Sequence, residues 1–521
     1  MLSPTQAMQK IYGKIKREWR IAFLTAFLSG LLIHMPVLVS DIPNHDGLAS
    51  MYFDQNMITS GRWFLTVACG FSSYYTVPWV IGLLGLLFLG VAAAALCELL
   101  EVKRTWAVVG ISGLITSFPA LASTFAYVFT LDGYMLALLL AVLAVLFTKK
   151  RRFGFLPGAV CLALSLGIYQ GYLAFAMILS VFSVLMIFCG ESGEQEKRSF
   201  QSRLLEALRY LYMGAAGAAL YYVILQILLK LQGKELDTYQ GISGMSGIGE
   251  GGLLGSLRRM YGDFLQFTFK GNILFQNGFA LTACVLLAAA AAVTVLWMAI
   301  RRKWWKNPAT CIIIIAALIV LPAVTNIILL ISPSVTYHLL MRYQWVLYLV
   351  GAVALTEKCR WGRNVGVLTE WTALSAVFVL IFCYGLTDNI AYTNLQRRYE
   401  KTYAYCVRLL DRIEQTEGYY AGIPIAMVGV VGDVQFPVTD ITLPVTGGMI
   451  GMSGDVLLYT GENYRIFIQN YLGATLNILP AEAMSEMYSS QEYVEMDSFP
   501  GENSVRIIDG VMYIKTENIN H

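Results

Sequence analysis

The sequence predicts a polytopic α-helical membrane protein with about eleven transmembrane helices and a small C-terminal α/β domain. Of its 521 residues, 57% are hydrophobic and only 14% are charged, and the mean hydropathy is +0.60. Runs of about 20 apolar residues, the length that crosses a hydrocarbon core, recur along residues 1–387. From residue 388 onward no run is that long. We therefore expect a transmembrane domain over 1–387 and a separately folded domain over 388–521.

Positive charge is found in every second loop between the predicted spans. The predicted spans are 21–39, 76–99, 106–122, 131–148, 155–170, 172–190, 210–230, 277–300, 309–331, 344–356 and 366–386. Lys and Arg in short loops are retained on the cytoplasmic side. Every second loop is cationic, with Lys10, Lys14, Lys16, Arg17, Arg20, Lys103, Arg104, Lys149, Lys150, Arg151, Arg152, Lys197, Arg198, Arg203, Arg301, Arg302, Lys303, Lys358, Arg360 and Arg363. We therefore expect a cytoplasmic N-terminus in the cytoplasmic (inner) membrane and an extracytoplasmic domain after residue 387.

Composition also limits the class of partner and the covalent chemistry. The first span has no small-x-small cleavage site at its end, so we expect it to stay as an anchor in the membrane lipids. Most of the nine cysteines lie within spans, and no C-x-x-C pair is present. The net charge of +3 comes mostly from the cationic loops, so it indicates no nucleic-acid partner.

The second large outer loop, 232–276, divides into two parts. Its first half contains a glycine-rich run, which we expect to be mobile because such a run cannot bury enough surface to stay ordered. In 253–269 apolar residues recur at helical spacing, which predicts a helix lying on the membrane surface. Arg258 and Arg259 of this helix are expected to point at lipid headgroups or substrate.

The C-terminal region alternates between helical and β-branched patterns. Spacings of three and four residues predict a helix over 393–417, and a β-branched run bounded by proline and glycine predicts a buried strand over 423–431. Further helices are expected over 462–472 and near 481–487. The turn Asp509-Gly510 predicts a closing strand pair, 505–508 and 511–515.

One polar loop carries most of the charge that the outward side offers. Residues 40–75, here called the first polar loop, contain Asp41, His45, Asp46, Asp54 and Arg62. Carboxylates beside a bilayer are costly unless they are used. The first polar loop is therefore the first candidate for chemistry.

Four sequence features together resemble a known family. They are Gly61-Arg62-Trp63 at the end of the first polar loop, Asp132 at the start of the fourth span, Tyr169-Gln170 at the turn between the fifth and sixth spans, and a closing Phe-Pro...Asp-Gly...Lys segment over 499–515. In this order they resemble the type II glucosyltransferases of serotype-converting phages, over nearly the whole chain. The resemblance implies a GT-C-like membrane glycosyltransferase. It also implies a polyprenyl-phosphate-sugar donor, and an acceptor that is a lipid-linked or surface glycan.

Sugar transfer from such a donor needs a base for the acceptor hydroxyl, and a partly buried carboxylate suits that role. Asp46 is the first candidate base and Asp41 the second, while Asp54 is a candidate substrate-binding residue. The alternatives are structural: Asp46-Gly47 is a common turn pair, and Asp41 could cap a short helix.

The leaving phosphate needs cations, and a guanidinium makes paired charge-assisted bonds to phosphate. Arg62 and Arg342 are therefore candidate donor-phosphate residues. Arg62 could instead reach toward lipid headgroups, and Arg342 could instead form a structural pair with an aspartate.

Four further residues are candidate substrate-binding groups: Asp132, Tyr169, Gln170 and His338. Asp132 could contact acceptor hydroxyls, hold a divalent ion with Asp46, or cap the N-terminus of its helix. His45 beside Asp46 matches no known metal site, so no cofactor is predicted, although a divalent cation is possible.

Two other classes of function would also explain a chain with many spans. A transporter or lipid-linked glycan flippase would place charges deep within broken spans, whereas here they gather at one face. A non-enzymatic scaffold would not need the acids of the first polar loop to meet Asp132 and Arg342.

Overall fold

The computed structural model describes residues 3–49, 56–70, 77–189, 199–237, 252–428, 449, 458 and 461–516. Within these ranges nine helices are long and apolar enough to cross a membrane, or ten if one bent pair counts as a span. This confirms a polytopic helical membrane protein. The helices of the membrane region are Pro4–Lys14, Arg17–Val39, His45–Ala49, Leu65–Ala68, Pro78–Leu99, Thr105–Ser117, Pro119–Phe125, Leu131–Lys150, Phe155–Ile168, Leu173–Cys189, Phe200–Gln232, Gly252–Lys270, Gly278–Arg302, Pro308–Thr325, Ile328–Ile331, Val346–Thr356 and Arg363–Gln415.

The predicted fifth span is shorter than expected. Its helix, Phe155–Ile168, has 14 residues and a length of about 21 Å, whereas a hydrocarbon core is about 30 Å thick. The helix ends at Tyr169, whose backbone is extended. The expected count of eleven full spans is therefore too high in the described part of the chain.

The predicted third span is bent by 50° between Thr105–Ser117 and Pro119–Phe125. The bend lies at Phe118, which is extended because a residue before proline is disfavoured in the helical region. The bend leaves the carbonyl of Thr116 available to His34, whose Nε2 lies 2.9 Å away. The other ring nitrogen of His34 lies 2.6 Å from the hydroxyl of Tyr392.

Apolar side chains cover the outer surface of the helix bundle. Leu32, Phe279 and Phe378 are each more than 70% exposed, although they lie in the middle or near the end of long apolar helices. A protein in water rarely exposes so large an apolar surface, so these side chains face lipid.

Basic side chains from several loops meet at one end of the bundle. Lys16 and Lys150 both pair with Glu98, at 2.7 and 2.5 Å, and Lys149 pairs with Glu101 at 2.9 Å. The ion pair between Arg104 and Glu370 belongs to the same group. We call this the basic end of the bundle. Cations from the N-terminal arm and from two of the loops that the sequence assigned to one side therefore meet at this end.

The last predicted span and the first predicted C-terminal helix form one continuous helix, Arg363–Gln415. Its buried positions continue at spacings of three and four residues past residue 387, so nothing in the pattern ends the helix there. The prediction of a separate helix starting near residue 393 is therefore wrong. The division into domains at 387 stays a prediction.

A four-stranded sheet in the order β2-β1-β4-β3 organises the C-terminal region, with β1 at Pro424–Val428, β2 at Asn477–Ile478, β3 at Val505–Ile508 and β4 at Val511–Lys515. β1 runs parallel to β2 and β4, while β3 and β4 form the predicted antiparallel pair. The two remaining predicted helices are present, one as Gly461–Phe467 continuing into a π-helix over Ile468–Leu472 and the other in shorter form as Ala481–Met484. A further short helix, Gln491–Val494, was not predicted. The predicted end of β1, 429–431, and the glycine-rich run 241–251 lie outside the described residues.

The first polar loop packs against the C-terminal region as well as against the membrane helices. Its short helix, His45–Ala49, carries Leu48, which is 1% exposed. Leu48 belongs to the same apolar core as Cys406 and Leu409 of the long helix and Tyr464 and Phe467 beside the sheet. The C-terminal core therefore includes a side chain from the far N-terminal part of the chain.

This packing predicts that Leu48→Ala destabilises the C-terminal region. Removing a fully buried leucine side chain costs about 2–5 kcal/mol in free energy of unfolding. Thermal unfolding of the purified protein in detergent should show a lower midpoint for this variant. Val67→Ala, on the same loop at a side chain that is 64% exposed, is the matched control and should change stability by no more than about 0.5 kcal/mol. Equal midpoints for the two variants would contradict the packing of Leu48.

Candidate active site

A tight turn at Ser60-Gly61 gives the first polar loop its shape. Gly61 has a φ of +76°, which glycine adopts without strain, and it lets Arg62 return to pair with Met57. Gln170 donates from Nε2 to the carbonyl of Ser60 at 3.0 Å, and the hydroxyl of Tyr221 donates to the carbonyl of Gly61 at 3.1 Å. Two distant membrane helices therefore hold the turn through its backbone carbonyls.

Arg62 leaves this turn toward a pair of stacked tyrosines. Its Nη1 donates to the hydroxyl of Tyr134 at 3.2 Å, and its guanidinium carbon lies 5.2 Å from the centre of the Tyr169 ring. The two rings stack with their centres 4.5 Å apart. Asp46 is also within electrostatic range of the Tyr134 hydroxyl. Arg62, one predicted phosphate residue, therefore contacts Tyr134, and Asp46, the predicted base, lies in the same neighbourhood.

Asp132 ties the first polar loop to the start of the helix Leu131–Lys150. It is 2% exposed, its Oδ1 accepts the Gly133 N–H at 2.9 Å, and the thiol of Cys69 hydrogen-bonds its carboxylate. Burial, with the Asp132 charge beside it, raises the pKa of the Cys69 thiol well above its ordinary value, so the thiol stays protonated. Asp132 thus lies at the N-terminus of its helix, as one of the three alternatives drawn from the sequence requires. A role in binding substrate stays a prediction.

Asp41 lies at the edge of the loop, where its side chain is exposed. Partial burial nonetheless raises the pKa of its carboxyl above the ordinary value, and Tyr399 of the long helix is within electrostatic range. Asp41 does not start a helix. The short helix begins at His45, and Asn44 precedes it, with its Oδ1 accepting the Gly47 N–H at 2.6 Å.

Arg342 lies in a different cluster, and its charge is met by an aspartate. Its two terminal nitrogens donate to both oxygens of Asp263, at 2.6 and 2.8 Å. Its guanidinium also stacks 3.8 Å from the centre of the Tyr337 ring and 4.5 Å from that of Phe267. Arg342 is only 8% exposed. The structure therefore gives Arg342 the aspartate pair that the sequence left open as the alternative to phosphate.

Asp263 comes from the helix Gly252–Lys270, which the sequence predicts as a surface helix. Only Ser256 and Met260 of this helix are buried, in agreement with that prediction. Arg259, however, donates to the carbonyls of Pro333 and Leu329 at 2.9 and 3.0 Å, so its expected headgroup or substrate contact is replaced by a structural one. Arg258 stays exposed.

The remaining candidates differ in how much the structure says of them. His338 is half-buried and directly precedes the turn Leu339–Trp345. It is therefore a chain neighbour of Arg342 and not of the first polar loop. Tyr169 and Gln170 both lie at the first polar loop, as described above. Asp54 and the side chain of His45 lie outside the described residues. Within the described residues no group of three or more His, Cys, Asp or Glu side chains is arranged to hold a metal ion.

Several residues of this site were not found by sequence reasoning. Tyr134 and Tyr221 lie within apolar spans, where a tyrosine gives no signal of its partner. Asp263 could have been proposed as the partner of Arg342, because it is the one acid on the amphipathic helix 252–270. Asn44 could have been proposed as a cap, because asparagine is favoured before a helix start.

The fold and this site define a multi-pass membrane protein whose polar site is built where one loop meets the ends of several helices. The family model of the glucosyl transferase GtrII family matches residues 35–355, which is more than half of the chain. The chain belongs to the glucosyl transferase GtrII family and is therefore a glucosyltransferase, which confirms the resemblance drawn from its motifs. Neither the curated proteins nor the solved structures contain a match.

The held turn predicts that Gly61→Ala disturbs the site. An added Cβ would lie 2.6 Å from both Gln170 Nε2 and the Tyr221 hydroxyl, in a backbone conformation that alanine disfavours. We expect a loss of about 1–3 kcal/mol in stability and a clear loss of glucosyl transfer, because Arg62 follows directly. Gly214→Ala is the control, because a Cβ there meets no atom within 4 Å. If the two variants had the same unfolding midpoints and the same transfer rates, Gln170 and Tyr221 would not hold this turn in the way described.

The Arg342 cluster predicts that Asp263→Asn destabilises the protein. It removes one charge from a largely buried, doubly hydrogen-bonded pair, which costs about 3 kcal/mol. Glu462→Gln is the matched control, because its pair with Arg465 is exposed and contributes under about 1 kcal/mol. Thermal unfolding should separate the two variants. A loss of transfer in Asp263→Asn with unchanged unfolding would instead indicate that this pair serves the reaction directly.

Proposed function

We propose that this glucosyltransferase moves glucose from a polyprenyl-phosphate carrier to a lipid-linked or cell-surface glycan. The transfer takes place at the face of the cytoplasmic membrane that is turned away from the cytoplasm. The observation that carries the proposal is that Arg62 donates to the Tyr134 hydroxyl, while the charge of Asp46, on the same loop, acts on the same tyrosine. A cation and a carboxylate on one loop supply the two groups that the reaction needs, one for the leaving phosphate and one for the attacking hydroxyl.

The orientation is supported by the basic end of the bundle. Lys16, Lys149 and Lys150 gather there with their acidic partners, and cations in short loops are retained in the cytoplasm. The first polar loop lies at the opposite end of the bundle from these lysines. For example, the helix Leu131–Lys150 begins beside Asp132 and ends at Lys150. The site and the basic end are thus at opposite ends of the same helix.

In the proposed reaction an acceptor hydroxyl oxygen forms a bond to C1 of the glucose. The bond between C1 and the phosphate oxygen breaks, and its electron pair stays with the polyprenyl phosphate. Asp46 takes the proton of the acceptor hydroxyl. Arg62 stabilises the charge that develops on the leaving phosphate, because a guanidinium can donate two parallel hydrogen bonds to it.

Other groups have supporting roles in this proposal. The stacked rings of Tyr134 and Tyr169 fix the direction of Arg62. Arg342 is assigned to structure, because Asp263 already engages both of its terminal nitrogens. The C-terminal region packs against the first polar loop through Leu48. We assign this region a part in holding the acceptor glycan.

This proposal predicts that Asp46→Asn abolishes glucosyl transfer while the protein still inserts and folds. Loss of a general base lowers a rate by about 10²- to 10⁴-fold. The rate is measured with purified protein, polyprenyl-phosphate glucose and isolated surface glycan, by mass spectrometry of the hexose added. Asp411→Asn, at an exposed acid on the long helix, is the control and should keep the wild-type rate. Full activity of Asp46→Asn would remove Asp46 from the mechanism.

A further inference from the structure

A short helix, Pro4–Lys14, precedes the first span. It begins with two reciprocal hydrogen bonds: Ser3 Oγ accepts the Gln6 N–H at 3.2 Å, and Gln6 Oε1 accepts the Ser3 N–H at 3.0 Å. Such a capping box is typical of a helix start. The sequence therefore specifies a helix of its own at this point, ahead of the membrane region.

The chain changes direction between the short helix and the first span, Arg17–Val39. Ile15 ends the short helix with an extended backbone, at a ψ of +121°. The guanidinium carbon of Arg20 lies 4.4 Å from the centre of the Tyr12 ring. In one continuous helix these two residues would be about 12 Å apart along the axis. The short helix therefore leaves the axis of the span instead of extending it.

The first turn of the span is fixed at the basic end of the bundle. Lys16 pairs with Glu98 at 2.7 Å, and Trp19 donates from its indole nitrogen to the same carboxylate at 3.0 Å. Tryptophan is enriched where a membrane meets water, because its ring is apolar and its N–H is polar. The short helix therefore starts from the level of the lipid headgroups.

The short helix carries an apolar stripe that the protein leaves uncovered. Met8 is 70% exposed and Tyr12 is 60% exposed, and residues four apart lie on the same face of a helix. No side chain of this helix whose exposure the structure describes is buried. A helix of 11 residues is marginal in water without tertiary packing, so it needs a surface outside the protein.

The charges of the short helix indicate which surface this is. Lys10 and Lys14 are both exposed, and the helix contains no acidic residue. Lys10 lies about 200° around the helix from Met8, so one face is apolar and another is basic. A helix of this kind binds in the interface of a bilayer that contains anionic lipid. The long lysine side chains can bend toward the headgroups while the apolar stripe is inserted.

We propose that the helix Pro4–Lys14 lies in the membrane interface at the basic end of the bundle and binds anionic lipid. Met8 and Tyr12 insert among the acyl chains, and Lys10 and Lys14 engage the negative headgroups. This surface is at the opposite end of the bundle from the first polar loop. The proposal therefore holds or fails independently of the roles given to Asp46 and Arg62.

The test measures the depth of nitroxide labels on the full-length protein in lipid vesicles. One label is attached to Met8→Cys and the other to Gly13→Cys. Gly13 is the matched position, because it lies about 140° around the helix from Met8 and a Cβ there meets no atom within 4 Å. Seven of the nine native cysteines are buried and two are half-buried, so wild-type protein treated with the same label gives the background. Collisions with oxygen, which concentrates among acyl chains, are compared with collisions with a water-soluble nickel chelate.

In vesicles of mixed phosphatidylglycerol and phosphatidylcholine, the label at Met8 should collide with oxygen and be protected from the chelate. The label at Gly13 should be reached by the chelate. Vesicles of phosphatidylcholine alone should weaken the protection at Met8.

The lysines are tested by combining Lys10→Gln with Lys14→Gln in the mixed vesicles. The ratio of inserted to released helix should fall about fivefold for each lysine removed, which weakens the protection at Met8. Lys230→Gln with Lys234→Gln is the matched control and should leave the protection unchanged. These two exposed lysines lie at the other end of the bundle, where the Asp237 nitrogen donates to the Thr59 carbonyl.

Two results would overturn the proposal. Equal access of the chelate to the labels at Met8 and Gly13 in mixed vesicles would show that the helix does not lie in the interface. Protection at Met8 that is unchanged both in neutral vesicles and after loss of the two lysines would exclude anionic lipid as the partner.

Discussion

Buried polar backbone groups must find their partners within the protein, because an unpaired buried carbonyl is costly. The first polar loop meets this constraint at its sharpest turn. Gln170 and Tyr221 bind the carbonyls of Ser60 and Gly61 from two different helices. The next residue, Arg62, is thereby directed at Tyr134 and Tyr169. The position of the cation thus follows from the need to satisfy two carbonyls.

The same loop is held from its other side by the C-terminal region. Leu48 is buried among side chains of the long helix and of the helix beside the sheet. The long helix, Arg363–Gln415, runs from the membrane region into that core without a break. The described parts of this loop, held between helix ends and a second core, lose little further freedom when a substrate binds. Such prior ordering of charged groups is what electrostatic stabilisation of a reaction requires.

Much of the fold could be predicted from the sequence, because long apolar runs and cation-rich loops each have one dominant physical cause. The closing strand pair, 505–508 and 511–515, was predicted for a similar reason, since Asp-Gly specifies a tight turn. The errors arose where a local pattern had two outcomes. The bend at Phe118 depends on one proline, and the helix past residue 387 continues a spacing that was assigned to a new element.

The site was harder to predict, because its pairs join residues far apart in the chain. Asp46 and Arg62 were found from their charge, but the contact of Arg62 with Tyr134 depends on how the loop returns over the helix end. Arg342 was open between phosphate and an aspartate, and only the packing of helix 252–270 supplies Asp263. Asn44 gave a capping signal, and its bond to the Gly47 N–H shows that it caps the short helix.

The most direct test of the account is a cryo-electron microscopy structure of the protein with a polyprenyl-phosphonate analogue of the glucose donor, which cannot be cleaved. The account predicts phosphonate density against the Arg62 guanidinium, with the sugar toward Asp46. Phosphonate density at the basic end of the bundle, near Lys16 and Lys150, would contradict it, as would density at an Arg342 released from Asp263.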